Sequence, residues 1–347
     1  MSNLFVNSLL EDTSRQCIWI GMEGSLFQYT PATGLMKPID AFHNNSIKSL
    51  ALDGDGNLLA GTDNGLYVYQ NDNGTLQHIV HDSRNIQSLT NNIIWNIFAD
   101  QEHNIWLGTD YGISLSRYNS ALQFIPISQI TGTGDGNQFY SLFRDSKGFY
   151  WFGGANGLIR FTDPAGERHD AIWYRMGDKT YPLSHNRIRH IYEDKEQQLW
   201  IATDGSINRY DYATRQFIHY NIVDNTGTYN TNWTYYIFED TAGQLWISTC
   251  LGGIFVVDKR KLMQSTSGQY IAEQNYSVHN GLSGMFINQI IPDNEGNVWV
   301  LLYNNKGIDK INPRTREVTK LFADELTGEK SPNYLLCDED GLLWVGF

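Results

Sequence analysis

The sequence predicts an all-β protein: a seven-bladed β-propeller of four-stranded antiparallel blades. One motif recurs along the whole 347-residue chain, its period lies in the forties, and the repeat shows no helical pattern. These three observations are typical of stacked β units. The gap between successive copies ranges from 41 residues (12 to 53) to 53 residues (240 to 293). The copies begin at Asp12, Asp53, Asp100, Asp145, Asp194, Asp240, Asp293 and Asp338.

The copy at Asp293 shows the elements of one blade in order. The run INQIIPD is rich in β-branched residues and predicts the first strand. The turn DNEG reverses the chain, because an Asp side chain bonds its own backbone and Gly accepts a positive φ. The runs NVWVLL, GIDKI and EVTKLF predict the second, third and fourth strands. Four antiparallel strands joined by short turns form the blade of a propeller.

The first seven copies predict seven complete blades, which places the propeller at residues 1–325. The copy at Asp12 already contains four strand-like runs, so it needs no strand from the C-terminus. Residues 326–347 are expected to begin a further propeller repeat, because the copy at Asp338 stops halfway, at WVGF. A solenoid of β-helical coils is the alternative fold, but it requires shorter repeats and parallel pairing.

Seven of the ten tryptophans occupy one equivalent position, six residues after the repeat Asp in six copies and seven after it in the first. A large flat side chain there is expected to pack between neighbouring blades, burying on the order of 150–250 Å². Leu59 replaces the Trp in the second copy. The repeated Asp and Gly are interpreted as turn formers, neither catalytic nor calcium-binding. The seven are Trp19, Trp106, Trp151, Trp200, Trp246, Trp299 and Trp344.

Composition and charge restrict the function. The formal net charge is −13, from 38 acidic and 25 basic side chains, which argues against nucleic-acid binding because phosphate is repelled. The three cysteines, Cys17, Cys250 and Cys337, show no metal-ligand spacing and are interpreted as small apolar residues. No apolar run approaches the roughly 18 to 20 residues that span a bilayer. The N-terminus has no intact signal peptide. Since a signal peptide is removed from the mature protein, this does not decide the cellular compartment.

The repeat resembles a known family. The pattern D-x-x-G-x-x-W-[IVL]-G-T-x-x-G-[LI]-x-R-[YF] is clearest in DQEHNIWLGTDYGISLSRY and DKEQQLWIATDGSINRYD. It is similar to the two-component regulator propeller repeat, and the resemblance covers essentially the whole chain. That repeat builds the extracytoplasmic sensor domains of hybrid two-component systems in Bacteroides-type gut bacteria, which detect glycan fragments and switch on polysaccharide-utilisation genes.

The resemblance implies a periplasmic, non-catalytic sensor module of an inner-membrane receptor. Large receptors of the family carry two consecutive seven-bladed propellers, a β-sandwich, a membrane helix, and kinase and regulator modules. The implied partners are an oligosaccharide ligand, the following propeller and β-sandwich, and a second copy in a homodimer. Contact with the membrane would come only through segments outside this sequence, and the kinase chemistry of such receptors resides outside it too.

A ligand site is predicted on one face of the propeller, which we call the loop face. It carries the loops that lead into each first strand and the loops that follow each Trp strand. Flat rings beside bidentate donors suit sugars that carry carboxylate or sulfate groups. The alternative is that these side chains fill the channel and the gaps between blades. The candidates are Trp95, Tyr111, Tyr140, Arg187, Arg189, Trp233, Tyr235 and Tyr303.

Catalytic motifs are absent from the sequence. It contains no Gly-x-Ser-x-Gly, no HExxH and no Cys-His nucleophile pattern, so no catalytic residue, metal or cofactor is expected. His185 and His190 flank the two candidate arginines and are interpreted as ordinary histidines. The alternative function is a propeller enzyme, namely a polysaccharide lyase, glycoside hydrolase or cyclic-ester lyase, because a carboxylate pair can come from distant blades.

Overall fold

The described residues form seven four-stranded antiparallel sheets, so the predicted seven-bladed β-propeller is confirmed. Blade 1 takes all its strands from the N-terminal copy, as expected. The structure, a computed structural model, divides into two compact units, residues 1–173 and residues 174–345. It describes residues 5–42, 44–70, 74–85, 88–117, 122–126, 138–162, 171–180, 182–266, 268–303, 307–321, 332–338 and 340–346.

The first unit contains blades 1 to 4, and blade 4 ends at the boundary between the units. A short 3-10 helix (Asp40–Phe42) leads into blade 2. The strands, four per blade in chain order, are β1 (Val6–Asp12), β2 (Cys17–Met22), β3 (Ser25–Thr30), β4 (Leu35–Pro38), β5 (Ile47–Leu52), β6 (Leu58–Thr62), β7 (Gly65–Gln70), β8 (Thr75–Ile79), β9 (Ile94–Ala99), β10 (Ile105–Thr109), β11 (Gly112–Ser116), β12 (Leu122–Pro126), β13 (Phe139–Arg144), β14 (Tyr150–Gly154), β15 (Gly157–Phe161) and β16 (Ile172–Tyr174).

The second unit contains blades 5 to 7 and a terminal hairpin. A 3-10 helix (Val278–Asn280) precedes blade 7. The remaining elements are β17 (Ile188–Glu193), β18 (Leu199–Thr203), β19 (Ser206–Asp211), β20 (Gln216–Tyr220), β21 (Ile222–Val223), β22 (Thr234–Glu239), β23 (Gln244–Thr249), β24 (Ile254–Asp258), helix α1 (Lys259–Gln264), β25 (Tyr270–Ile271), β26 (Gln274–Tyr276), β27 (Ile287–Pro292), β28 (Val298–Leu302), β29 (Ile308–Asn312), β30 (Glu317–Leu321), β31 (Tyr334–Cys337) and β32 (Leu343–Gly346).

The repeated Asp forms the turn between the first and second strands, as predicted. In blade 4, Oδ1 of Asp145 accepts the backbone N–H groups of Lys147 (3.0 Å) and Phe149 (2.8 Å). Gly148 completes the turn at φ +86°, a conformation that other residues adopt at a cost. The carboxylate therefore satisfies turn donors that would otherwise lack a partner.

The repeated Trp packs between neighbouring blades, which confirms its structural role. Trp19 joins a core cluster with residues of blade 2, Trp106 one with residues of blade 4, and Trp246 one with residues of blade 7. Each of these three side chains is almost completely buried. Burial of rings this large supplies much of the energy that holds one blade against the next.

Blade 6 departs from the regular blade. Its third and fourth strands are separated by residues 259–273, where blade 5 has a four-residue turn, 212–215. This insertion begins with α1, whose N-terminus is capped by the side chain of Asp258. Its strand β25 then pairs in parallel with β21, which belongs to the connection between blades 5 and 6. The insertion thus ties blade 6 to the preceding connection.

Lys259, the first residue of α1, is a buried cation beside the turns that join the first and second strands of blades 5 and 6. Its Nζ lies 2.7 Å from Oε1 of Glu239 and 3.1 Å from Oδ2 of Asp194. Asp194 belongs to blade 5 and Glu239 to blade 6. The ion pairs therefore link the turns of two adjacent blades.

The hairpin β31–β32 repeats the first half of a blade and packs on blade 7. Leu335 joins a core cluster with Leu301 and Ile308, and the side chain of Gln289 bonds both the N–H and the carbonyl of Leu335. Assignment of residues 326–347 to a further propeller stays a prediction. Within the described part of the chain, no helix has the length and apolar character needed to cross a membrane.

Candidate functional site

The first strand of every blade begins with a β-bulge at the loop face. In blade 5, Ile188 pairs with Thr203 and His190 with Ala202, so that Arg189 is passed over. A bulged residue makes no ladder pair, and bulges re-aim side chains next to functional sites. The seven bulged residues, one per blade, are Asn7, Lys48, Trp95, Tyr140, Arg189, Tyr235 and Asn288.

Four of the eight sequence-predicted site residues are therefore bulged residues. The bulged residue lies five positions before the repeat Asp in each copy, as 95 precedes 100 and 189 precedes 194. Lys48, Asn7 and Asn288 occupy the same position and were not predicted, because the predicted set contained only aromatic residues and arginines. Alignment of the copies on the Asp would have found all three.

In the first unit, the bulges bring Trp95 and Tyr140 together. Their rings meet edge to face, with centroids 6.3 Å apart, and Nζ of Lys48 lies 4.6 Å from the centroid of the Trp95 ring. The indole N–H donates to Asp110, in the turn that follows the neighbouring strand of the same blade. The hydroxyl of Tyr140 donates to Oε1 of Gln138 at 2.6 Å. We call this set the Trp95 cluster; it presents two anchored rings and one cation.

In the second unit, Arg189 is bound by a carboxylate. Its Nε and Nη2 donate to Oδ1 and Oδ2 of Asp204 at 2.7 and 3.2 Å. The same guanidinium lies 4.5 Å from the centroid of the Tyr235 ring. Arg187 is more exposed, and its Nε is 3.9 Å from Asp204. Because one carboxylate faces two arginines, this Arg189 cluster keeps one net positive charge, carried mainly at Arg187.

Tyr235 remains a neutral phenol. Burial raises its pKa and outweighs the nearby Arg189 cation, which lowers it. Burial also raises the pKa of the Cys250 thiol. Neither group is ionised at neutral pH, so the pair offers hydrogen bonding and no nucleophile.

Trp233 is held in an unusual backbone conformation. Its φ is +55°, in the left-handed region that bulky residues rarely occupy, and its side chain is 49% exposed. The N–H donates to the carbonyl of Asp204 at 2.9 Å, and its carbonyl accepts from Cys250 at 3.0 Å. Such a conformation costs about 1–3 kcal/mol and is concentrated at functional sites. The surrounding loops therefore hold an exposed indole at the loop face.

Tyr111 and Tyr303 lie in turns after the second strands of blades 3 and 7. Both side chains are exposed, and their backbone N–H groups donate to Thr109 (3.1 Å) and Phe286 (2.9 Å). The structure thus places Trp95 and Tyr140 in one cluster and groups Arg189, Arg187 and Tyr235 in another. A single concavity lined by Trp95, Tyr140, Arg187, Arg189 and Trp233 would combine residues of both units and stays a prediction.

The two histidines flanking the arginines have different surroundings. His190 is partly buried, with its ring stacked on Tyr236 at a centroid distance of 3.9 Å. Burial lowers the pKa of His190 to about 4, so it stays neutral at physiological pH. Nδ1 of His185 accepts the backbone N–H of Arg187 at 3.0 Å. Among the described residues, no group of three or more acidic, His or Cys side chains could hold a metal ion.

Comparison with solved structures finds similar bacterial extracellular domains. It is 94% identical, with a TM-score of 0.62, to the extracellular domain of a hybrid two component system from B. thetaiotaomicron. The match covers 100% of this chain and 47% of the other, so the chain spans about half the length of that relative. A second such extracellular domain from B. thetaiotaomicron is 19% identical, with a TM-score of 0.52 over 98% of this chain and 48% of the other.

A streptogramin B lyase shares the fold alone, at 14% identity and a TM-score of 0.54 over 99% of this chain and 94% of the lyase. The comparison with curated proteins found no match. The family model described as two component regulator propeller matches residues 88–111 and 182–205. These matches fall on the copies at Asp100 and Asp194, the clearest of the repeats in the sequence. The chain carries repeats that the two component regulator propeller model matches, and it is similar along its full length to the extracellular domain of a hybrid two component system.

Proposed function

We propose that the chain is a non-catalytic sensor module of a hybrid two component receptor, that it lies in the periplasm, and that it binds an oligosaccharide from polysaccharide breakdown. The observation that carries the proposal is the 94% identity to an extracellular domain of such a system. An extracellular domain is the part of a receptor that meets ligands from outside the cell. The proposal extends to its partners: a following propeller and β-sandwich, and a second copy in a homodimer.

The loop face supports the ligand part of the proposal. Each bulge leaves one residue per blade outside the pairing of the first and second strands, and several of these residues are aromatic or basic. Aromatic faces pack on sugar rings, and fixed polar groups bond their hydroxyls. The cation of Arg189 is bound internally by Asp204, and Cys250 and Tyr235 are un-ionised. This chemistry favours recognition over bond cleavage.

A thermal-shift screen against depolymerised host and plant glycans tests the proposal. A ligand that binds only the folded chain raises the melting temperature by mass action, by an amount set by its concentration relative to Kd. A saturable rise with one glycan class, and unchanged ligand by mass spectrometry after long incubation, is the expected result. Time-dependent cleavage of the ligand would show an enzyme instead. The absence of any shift across the panel would reject oligosaccharide binding by this chain.

A further inference from the structure

Blade 6 carries a polar groove that the regular propeller repeat does not require. Its larger part has a volume of about 420 Å³, within the range of small-molecule sites. Its walls are the loop before β22, the segment from Ala272 to Asn275, and the short helix before blade 7. A second part of about 270 Å³ shares Thr228 and Tyr229 and reaches Trp233. We call both parts together the blade 6 groove.

The insertion in blade 6 builds one wall of the groove. Blades 5 and 7 join their third and fourth strands with residues 212–215 and 313–316, whereas blade 6 uses residues 259–273. The parallel pair β21–β25 and the hydrogen bond from the N–H of Ala272 to the carbonyl of Val223 (2.9 Å) hold the end of this insertion at the groove. An insertion that modifies one blade of a repeat and leaves a groove is typical of a binding site.

The carboxylates in the wall are already engaged inside the protein. Oδ1 of Asp224 accepts the N–H of Tyr229 at 2.8 Å, and its other oxygen accepts the hydroxyl of Thr226. Oε1 of Glu273 accepts the hydroxyl of Tyr270 at 2.8 Å, and Oε2 accepts the N–H of Asp258 at 2.8 Å. The remaining polar groups that line the groove are mostly amides and hydroxyls. Apart from these two engaged carboxylates, the groove therefore offers neutral donors and acceptors.

Two aromatic side chains flank these polar groups. The Tyr229 ring is half-buried, and its hydroxyl lies 3.3 Å from Nε2 of His279, an exposed residue in the opposite wall. Trp233, in its strained conformation, stands at the other end of the groove. Flat apolar faces combined with amides and hydroxyls match a sugar, which has C–H faces and hydroxyl edges.

We propose that the blade 6 groove binds a neutral oligosaccharide, with a sugar ring against Trp233 and the next unit near Tyr229. This inference rests on the proposed sensor function and adds the position and charge class of the ligand. The net charge of −13 also opposes binding of polyanionic sugars.

The test compares neutral and acidic oligosaccharides by calorimetry. The neutral probes are gluco-, galacto-, manno- and xylo-oligosaccharides, and the acidic probes are oligogalacturonides and chondroitin fragments. Thr228→Trp fills the groove from an exposed position, and Tyr229→Phe removes only the hydroxyl that faces His279. Thr214→Trp is the matched control, because Thr214 is exposed in the β19–β20 turn, away from the groove. Circular dichroism and melting temperature verify that each variant is folded.

We expect one neutral probe to bind, with Kd weakened at least about ten-fold by Thr228→Trp, several-fold by Tyr229→Phe and not by Thr214→Trp. Affinity should change less than about two-fold between low and high salt, because no charge pairing contributes. Equal binding by the wild type and Thr228→Trp would show that the blade 6 groove is not the binding site, and it would leave the proposed sensor function standing. Binding of acidic probes alone would overturn the proposal that the ligand is a neutral oligosaccharide. Binding of no probe by the wild type would overturn both proposals.

Discussion

The indole Nε1 of Trp200 donates a hydrogen bond of 2.8 Å to Oδ2 of Asp194, six residues earlier in the chain. The same bond recurs in the other six copies that carry a Trp, at 2.7 to 3.2 Å. In the copy that carries Leu59, Oδ2 of Asp53 accepts the side-chain amide of Asn57, at 3.0 Å, a bond that the copies at Asp100 and Asp293 make in addition to the Trp bond. The fixed spacing of Asp and Trp therefore reflects a bond between the turn and the blade core, in addition to packing.

Replacing Trp200 should destabilise the protein in two steps. Trp200→Ala leaves a cavity in a fully buried site and should lower the free energy of unfolding by about 3–5 kcal/mol. Trp200→Phe keeps most of the volume but leaves the carboxylate one donor short, which should cost about 1–3 kcal/mol. Urea unfolding measures both. Trp233→Phe, at an exposed position, is the control and should stay within about 0.5 kcal/mol of the wild type. Wild-type stability in Trp200→Ala would refute the core assignment.

Removal of the Lys259 cation alone should lower the stability more than removal of the cation together with the carboxylate of Glu239. Burial alone lowers the pKa of Lys259, but hydrogen bonds to Glu239 and Asp194 raise it above its ordinary value of 10.5. The ammonium therefore stays charged, and its contribution is complete below pH 10.5. Lys259→Met should cost about 3–5 kcal/mol, because two buried carboxylates lose their counter-charge.

The double variant Lys259→Met/Glu239→Leu is the control for this prediction. Because it removes one of the two buried carboxylates together with the cation, it should recover part of the lost stability. Chemical unfolding at neutral pH compares the three proteins. A double variant less stable than Lys259→Met would contradict the explanation.

Acid should unfold the protein partly through Asp100. Burial raises the pKa of this carboxyl, but hydrogen bonds from Trp106, Asn104 and Tyr150 outweigh burial and hold it below its ordinary value of 3.8. A carboxyl with a lowered folded-state pKa stabilises the protein above pH 3.8, and the contribution is lost as pH falls through the folded-state value. Asp100→Asn should therefore flatten the loss of stability below pH 4. Parallel curves for the wild type and the variant would argue against this role.

The Trp95 cluster is a ligand position alternative to the blade 6 groove, and if it holds the ligand it should contribute to binding without supporting the fold. Trp95→Ala removes the ring that contacts Tyr140 and lies beneath Lys48. Binding of the oligosaccharide that gives the largest thermal shift should weaken by about 1–4 kcal/mol, the range of interface hot spots. Calorimetry measures the affinity, with Leu35→Ala as a control on an exposed outer strand. Full affinity in Trp95→Ala would exclude the cluster from the site.

Trp233→Gly should separate stability from binding. Gly adopts a positive φ without steric cost, so relief of strain should leave stability unchanged or raise it by up to about 1 kcal/mol. Loss of the indole should weaken binding in the blade 6 groove. Trp233→Ala is the matched variant, since it loses the ring but retains the strained backbone. If both variants bind as the wild type does, Trp233 has no ligand role.

The propeller could be predicted from the sequence because its signals are local. An Asp turn followed by a Trp strand marks each blade within a few residues, as at Asp145 and Trp151. The site could be predicted only in part. The bond between Arg189 and Asp204 depends on the register of β17 and β18. A bulge changes that register, and the composition of a single strand does not reveal the bulge.

The insertion in blade 6 shows the same limit. The longest gap between copies, from Asp240 to Asp293, indicated extra residues. It did not indicate that β25 would pair in parallel with β21, almost fifty residues earlier in the chain. Parallel pairing of two-residue strands depends on the positions of both segments in the folded protein. Each segment alone is too short to show the alternating pattern by which a strand is recognised in a sequence.

The bulge at the start of each first strand has an evolutionary consequence. A substitution at a bulged position such as Lys48 or Asn288 changes the side chain presented at the loop face without altering a ladder pair. Mutations there should be tolerated far more often than mutations at Trp106 or Trp246. Receptors descended from one ancestor could thus diversify in ligand preference by exchanging seven side chains, while natural selection conserves the scaffold that displays them.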